Sequence, residues 1–272
     1  MFHFAQQFGR QLKRIVVSCG LYEMILDNYH YLASFKYLGI RHKCPFCGGH
    51  FSTLLPCGLS VPVLKAKQVI GGGYRLNSIC PRCHSWDRER FVYLFLKTYK
   101  EYIYNKPINV LHVAPELNLS RKLRSLPYIR YTTADLYSSS VDMQMDITDI
   151  KQKNESYDLI ICNHVLEHVP NDRKAMSELY RILKKNGLAI LQVPISYSME
   201  RTIEDSSIES PLERLIAFGQ DDHVRIYGLD YILRLRQVGF HVEVNRCSHL
   251  FSLEDIKKYG LIMDESIFCC SK

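Results

Sequence analysis

No apolar run in this chain of 272 residues reaches the roughly 18 needed for a helix to cross a bilayer. Its start shows no hydrophobic stretch followed by a small-residue cleavage site. These two absences lead to the expectation of a cytoplasmic protein without a transmembrane segment. Dense clusters of Lys and Arg interleaved with aromatics are missing too, which weakens a reading as a dedicated nucleic-acid binder. What is present is ample material for a core, with 47% of residues hydrophobic. The length suits one substantial domain plus a small accessory one. The net charge of +7 is uneven, because residues 1–100 hold 14 Lys and Arg against 4 Asp and Glu, and the rest 21 against 24. A front near +10 ahead of a back near −3 hints at an anionic partner for the front. Residues 1–40 mix Phe2, Phe4, Phe8, Leu12, Ile15 and Val16 with Arg10, Lys13 and Arg14. That pattern suits an interfacial helix, or one that packs on the larger domain or on a second copy of the chain to make a homo-oligomer; packing is the expectation.

Two cysteine knuckles stand out, Cys44-Pro45-Phe46-Cys47-Gly48-Gly49 and Cys80-Pro81-Arg82-Cys83-His84. Each places two thiols at the spacing of a tight metal-binding turn, and four thiolates can surround a tetrahedral ion. Disulfides are the alternative, but a cytoplasmic chain is kept reduced. The expectation is Zn2+ on Cys44, Cys47, Cys80 and Cys83, in a structural role because four thiolates leave no open position. Cys57 has no partner at the required spacing and reads as a buried small residue, and His84 as a neighbour of its knuckle.

The stretch from Tyr157 to Pro194 reads as strand, polar loop, amphipathic helix, turn and strand, a βαβ unit. Leu159 to Cys162 is continuously apolar, as in a strand covered on both faces. Asn171 or Asp172 can cap a helix bearing Met176, Leu179, Tyr180 and Leu183 at helical spacing, with Lys184, Lys185 and Gly187 at its end. Leu188 to Val193 supplies the next strand. Upstream, Ile108 to Val113 is a strand, followed by Ala114-Pro115-Glu116, a helix candidate from Leu119 to Leu126, and a strand from Ile129 to Ala134. This last strand ends in Asp135, about 21 residues after the first turn, where a doubly wound fold places an acid for ribose hydroxyls. Asp146 would end a third strand. Asn163 to His168 falls at the carboxyl end of a strand, where ligands sit in open parallel sheets.

With Asp135, Asp146 and Asn163 in that order at strand ends, the chain resembles class I S-adenosylmethionine-dependent methyltransferases from about Ile108 to Cys270. The resemblance implies a Rossmann-like α/β sheet of seven mainly parallel strands, the last antiparallel, with helices on both faces and a final hairpin of His241 to Arg246 with Ser266 to Cys270. It implies S-adenosylmethionine as cofactor. His112, Ala114, Pro115 and Glu116 would lie beside its methionine end, Asp135 and Leu136 at the ribose, Asp146 and Ile147 at the adenine, and Asn163 and His164 near the sulfonium. The usual first loop is acidic-x-Gly-x-Gly-x-Gly, and this chain has none of those glycines. Its His-Val-Ala-Pro-Glu version is similar to that of a type-11-like subgroup of bacterial methyltransferases that also carry paired CPxC motifs upstream. The domains expected are a helical segment at 1–40, a zinc ribbon at 41–85 and the methyltransferase domain at 86–272, with an insert or lid at 195–228.

The sulfonium methyl is already electrophilic, so such an enzyme must align the acceptor and exclude water. A hydroxyl acceptor gains from proton removal by about 10²- to 10⁴-fold. The candidates are His164, Glu167 and His168, spaced to share one face of a helical turn, with Asp222 and His223 from the insert. The same residues can instead serve loop architecture. Asp87, Arg88, Glu89 and Arg90 open a helix expected from Trp86 to Tyr104 and form either a solvated first turn or an anion clamp. Arg88 and Arg90, with Arg225 and Tyr227, are the substrate-binding candidates. The expected function is methyl transfer to a small-molecule or glycan acceptor, at oxygen or nitrogen. The alternatives are an RNA methyltransferase using the basic front, whose binding would be steeply salt-dependent, and a noncatalytic zinc-ribbon interaction protein.

Overall fold

Successive side chains of an extended strand point to opposite faces, and a strand with both faces apolar must be covered twice. In the computed structural model of this chain, which describes residues 21–98 and 107–272, the central strands are covered in this way. The expectations for Phe2 through Val16 fall outside the described residues.

The described chain opens with helix α1 (Leu21–Ala33), then strands β1 (Leu38–Lys43), β2 (His50–Phe51) and β3 (Leu55–Cys57), helix α2 (Pro62–Ala66), and strands β4 (Val69–Ile70) and β5 (Arg75–Ile79). β1 pairs with β2 and β3 with β5, both antiparallel, which holds the two knuckles side by side. Helix α3 (Asp87–Thr98) follows; the remainder of the helix expected to reach Tyr104 lies outside the described residues.

The sheet region runs β6 (Ile108–Val113), α4 (Leu117–Arg124), β7 (Ile129–Asp135), β8 (Met143–Gln144), β9 (Tyr157–Cys162), α5 (Asp172–Ile182) and β10 (Leu183–Ile190). The insert adds β11 (Ile195–Ser196), β12 (Ile203–Glu204), α6 (Pro211–Phe218) and β13 (Arg225–Ile226). The chain then closes with α7 (Asp230–Gln237), β14 (His241–Arg246), α8 (Cys247–Leu250), α9 (Leu253–Tyr259) and β15 (Ser266–Ser271).

Among the described residues, seven strands form the central sheet in the order β14-β15-β10-β9-β6-β7-β8. β15 is antiparallel to both neighbours and the other pairings are parallel. This is the expected Rossmann-like α/β architecture. Along β9, Ile160 and Cys162 enter the core on one face while Leu159 and Ile161 enter the other. Chain order reverses between β6 and β9, so their carboxyl ends open a crevice at a topological switch point.

Helix α5 begins where expected. Asn171 caps it by accepting from the Lys174 amide at 3.0 Å, a bond whose loss would cost about 1 kcal/mol. Its exit differs from expectation. Lys184, Lys185 and Gly187 lie in β10, because the chain passes straight from Ile182 into the strand and absorbs the transition as a register shift between Leu183 and Leu188. Ile147 is a core residue packed under the sheet.

The insert and the cysteine region are stitched together. β11 pairs antiparallel with β4, placing Ile195 opposite Ile70. The Ser196 hydroxyl donates to the Lys67 carbonyl. Gly71 has a left-handed φ of +81°, and a Cβ there would stand 2.8 Å from Glu265 Oε1, so only glycine lets this loop approach the sheet so closely.

Candidate functional site

The two knuckles are built alike. Cys44 and Cys80 each receive at their carbonyl an amide from four residues on, Gly48 and His84, at 3.0 Å in both cases. Gly48 and His84 both take left-handed φ values, +70° and +55°. Cys44 Sγ lies 3.4 Å from Cys83 Sγ, and Cys47 Sγ 3.8 Å from Cys80 Sγ; all four sulfurs fall within 4.8 Å of one another. A tetrahedron with Zn–S bonds near 2.3 Å has edges of about 3.8 Å, so the donor set is compatible with zinc and would close its coordination sphere. The His84 ring meets His30 at a tilt, with the ring centres 3.6 Å apart. Cys57 is half-buried on a cleft wall rather than in the core.

The first loop turns without glycine. Ala114 adopts φ +46°, and its amide donates to the Ala134 carbonyl at 2.8 Å. A left-handed alanine costs of order 1 kcal/mol or more, and it places Glu116 against the end of the sheet. There Glu116 Oε2 meets His112 Nε2 at 2.8 Å, while His112 Nδ1 meets the Tyr131 hydroxyl at 2.7 Å. Asn163 Nδ2 reaches Glu116 Oε1 at 3.5 Å, and Arg88 Nε lies 3.8 Å from the same oxygen. Burial alone would raise the Glu116 pKa, but the His112 hydrogen bond and the charges of His112 and Arg88 together hold it below the usual range.

Beyond this loop, a groove of about 440 Å³ is lined by Ala114, Pro115, Thr133, Asp135 and Ser138. Asp135 Oδ1 accepts the amides of Tyr137 and Ser138 at 2.8 and 2.7 Å, which builds the turn after β7. Leu136 is half-exposed beside it. Asp146 is exposed and closes its own turn on Thr148.

On the other side of Asn163, a cleft of about 510 Å³ opens between the cysteine region, the α3 start and the insert; its walls include Gly71, Trp86, Arg88, His164, Glu167 and His223. His164 is held at φ +53° with its amide on the Gln192 carbonyl at 2.7 Å. Burial, with the Arg88 charge second, pushes its pKa well down and keeps it neutral. Its Nδ1 stands 3.5 Å from Glu167 Oε1. Glu167 is 1% exposed, and burial raises its carboxyl to about 8. His168 Nδ1 pairs with Asp222 Oδ2 at 3.1 Å. The His168 and His223 rings meet edge-on at 4.6 Å, and burial together with the His168 charge pushes His223 down to about 4. The Val224 amide donates to the Glu167 carbonyl at 2.9 Å, so the insert is pinned against this turn. His164, Glu167, His168, Asp222 and His223 are thus brought together around one cleft.

Three of the four substrate-binding candidates are engaged by the protein itself. Arg90 is fully buried; it donates to the carbonyls of Tyr259 at 2.7 Å, Ser85 at 2.6 Å, Gly260 at 2.8 Å and Asn77 at 3.3 Å, tying α3 to the end of α9. Arg225 clamps the 166–170 turn through the carbonyls of Leu166, Val169 and Pro170 and pairs with Glu204. Tyr227 is a core residue whose hydroxyl donates to Asp172 at 2.9 Å and lies 3.2 Å from the Leu166 carbonyl. Arg88 alone of the four lines the cleft with an accessible side chain. The remaining two residues of the α3 start are internal as well, since Asp87 pairs with Arg75 at 2.8 Å and Glu89 accepts the amides of Trp86 and Leu119 at 3.0 and 2.8 Å. Sequence reasoning missed the wall made by residues 57–73, and the run Gly71-Gly72-Gly73 was its signal of close backbone approach.

The fold and this crevice define a methyltransferase-type α/β protein. The chain belongs to the methyltransferase domain family, whose model matches residues 107–260, and is accordingly an enzyme. Among solved structures it is similar to the (4+2)-cyclase SpnF, with 16% identity over 69% of this chain and 83% of that one at a TM-score of 0.49. It is similar also to an S-adenosylmethionine-dependent methyltransferase from Archaeoglobus fulgidus, with 14% identity over 68% and 94% at 0.44. A third is the Burkholderia thailandensis 1,6-didemethyltoxoflavin N1-methyltransferase, with 11% identity over 65% and 76% at 0.40. No curated protein matches the chain. Among the described residues, no helix is long and apolar enough to cross a membrane.

Proposed function

We propose that the protein transfers a methyl group from S-adenosylmethionine to a small-molecule or glycan acceptor held in the cleft between residues 41–85, the zinc-ribbon module, and the insert 195–228. The observation that carries this reading is a pair of cavities flanking the first loop and the 163–168 turn, one walled by Ala114, Pro115 and Asp135 and the other by Arg88, His164 and Glu167. One is a groove ending at Asp135, and the other is a cleft lined by imidazole and carboxylate. The cofactor fits beside the first, since Asn163 Oδ1, next to Glu116, is buried without a hydrogen-bond partner among the described residues. Asp135 would accept from the ribose hydroxyls, and Glu116, Asn163 and Arg88 would hold the amino-acid end. S-adenosylmethionine, when bound, supplies the electrophilic methyl.

The chain's own work is orientation and exclusion of water. Arg225 and Tyr227 fix the turn bearing Glu167. His164 is neutral, so one ring nitrogen keeps a lone pair for an acceptor hydroxyl. We read the zinc as structural, the protein as cytoplasmic, and the paired CPxC knuckles as the mark of the type-11-like bacterial subgroup. RNA is disfavoured as substrate in that three arginines of the basic front are engaged within the protein. Arg75 pairs with Asp87, Arg90 is buried on carbonyls, and Arg82 packs over Tyr31 and Phe51. Calorimetric titration of the zinc-loaded chain with S-adenosylmethionine and S-adenosylhomocysteine tests the reading. Micromolar binding of both is expected, and a folded protein that binds neither would overturn it.

A further inference from the structure

Glu167 presents a problem that the methyl-transfer reading leaves unsolved. Its carboxyl is 1% exposed, and neither oxygen has a hydrogen-bond partner among the described residues. An unpartnered buried carboxyl costs several kcal/mol, so a group of this kind persists where something else completes it. Two imidazoles stand ready beside it. Donor atoms of Glu167, His168 and His223 all lie within 4.8 Å of one another, although His223 comes from the insert, some 55 residues further along the chain.

The surroundings of those imidazoles narrow the choice. His168 directs Nδ1 to Asp222 Oδ2 at 3.1 Å, and the Phe218 backbone lies near His223, where it favours the protonated ring. In metal centres a ligating histidine characteristically donates its other nitrogen to a carboxylate or a backbone carbonyl, which fixes the tautomer and aims the free nitrogen at the ion. The carboxylate partner occurs here, on His168. The fourth side is open, since all three residues line the 510 Å³ cleft. The contrast with Cys44, Cys47, Cys80 and Cys83 is one of chemistry as well as closure. Four thiolates select zinc and fill its sphere, while two imidazoles and a carboxylate suit a borderline first-row divalent ion and leave positions free.

We propose that Glu167, His168 and His223 form a second metal centre, a two-histidine, one-carboxylate site for a single first-row divalent cation, whose open positions take an oxygen of the acceptor. Asp222 is a positioning residue that acts through His168. The proposal rests on the methyl-transfer reading for its acceptor and sharpens it, because it selects a hydroxyl-bearing acceptor over an amine.

The experiment is metal stoichiometry on the full chain. Protein loaded with one zinc is titrated with Co2+ and, separately, with Mn2+. Bound metal is counted by elemental analysis, and for Co2+ by the visible bands that distinguish nitrogen and oxygen ligation from thiolate ligation. Wild type should bind one further equivalent. Glu167→Gln and the double change His168→Ala, His223→Ala should lose it with the cysteine-bound zinc retained, and Asp222→Asn should weaken it about 10- to 100-fold. Retained zinc and an unchanged thermal melt certify each variant as folded. A wild type that binds no second equivalent of either ion overturns the proposal, as does a second equivalent indifferent to the double change. The calorimetry above separates this failure from failure of the reading beneath it. Binding of S-adenosylmethionine without a second metal sinks only the metal centre, and a second metal without cofactor binding sinks the methyl-transfer reading.

Discussion

Two neighbouring sets of buried polar residues differ in one respect. At the start of α3, Asp87, Glu89 and Arg90 are buried and have partners, and Arg90 alone meets four carbonyls. Across the cleft, Asn163 Oδ1, His164 Nε2 and both oxygens of Glu167 are buried with none among the described residues. Folding tolerates few unsatisfied buried groups, so the first set holds the molecule together and the second waits for something to bind. The difference separates stability from function more sharply than residue type does, because both sets are polar and both are buried.

Removing the zinc proposed at the cysteines should have the largest effect, since structural zinc sites are worth on the order of 10 kcal/mol of apparent binding energy. Chelation should open the region around Cys44 and Cys83 to limited proteolysis, and with it the cleft wall, while far-ultraviolet dichroism of the sheet persists. Survival of the knuckles after chelation would show that residues 38–85 are held by packing alone.

Arg90 and Arg88 sharpen the comparison because they lie two residues apart. Arg90→Leu strands buried carbonyls and should destabilise by roughly 3 to 5 kcal/mol in urea unfolding. Arg88→Leu should change stability by less than about 1 kcal/mol and act on cofactor or acceptor affinity instead. Equal destabilisation by the two would break the distinction. At the groove, Asp135→Ala should weaken S-adenosylmethionine binding by roughly 1.5 to 3 kcal/mol, through loss of charge-assisted hydrogen bonds to the ribose. Unchanged affinity by calorimetry would remove Asp135 from the site.

The sequence makes these two sets hard to tell apart, for a physical reason. Arg90 answers to carbonyls at Tyr259 and Gly260, about 170 residues away, and a carbonyl leaves no mark in side-chain identity. Arg225 is hidden in the same way by the carbonyls of Leu166, Val169 and Pro170. The parallel sheet was legible because strands buried on both faces read as unbroken apolar runs; Ile108 to Val113 matches β6 residue for residue. The knuckles were legible because metal-ligand spacing is local. The cleft wall at residues 57–73 was not, since what recruits it is the pairing of β4 with β11 across more than a hundred residues. The exit of α5 into β10 went unseen because Lys184, Lys185 and Gly187 suit a helix end as well as a bulged strand start.

Glu265 offers the finest test, because it stands between the two sets. Its Oε1 accepts from Gln192 Nε2 at 3.0 Å, as in a satisfied network, while its Oε2 has no partner among the described residues. Burial, with the Asp87 charge second, raises its carboxyl to about 8, against about 4.3 in an unfolded chain. The folded state therefore binds the extra proton between those values. The stability linked to that proton is complete below about pH 4 and is lost as pH rises through about 8. Glu265→Gln keeps the acceptor for Gln192 and removes the titration. Its melting temperature should match that of wild type below about pH 4 and exceed it progressively up to about pH 8, where the gap levels off. Parallel pH profiles for the two proteins would mean that Glu265 is ionised in the folded state and belongs with the satisfied residues of α3.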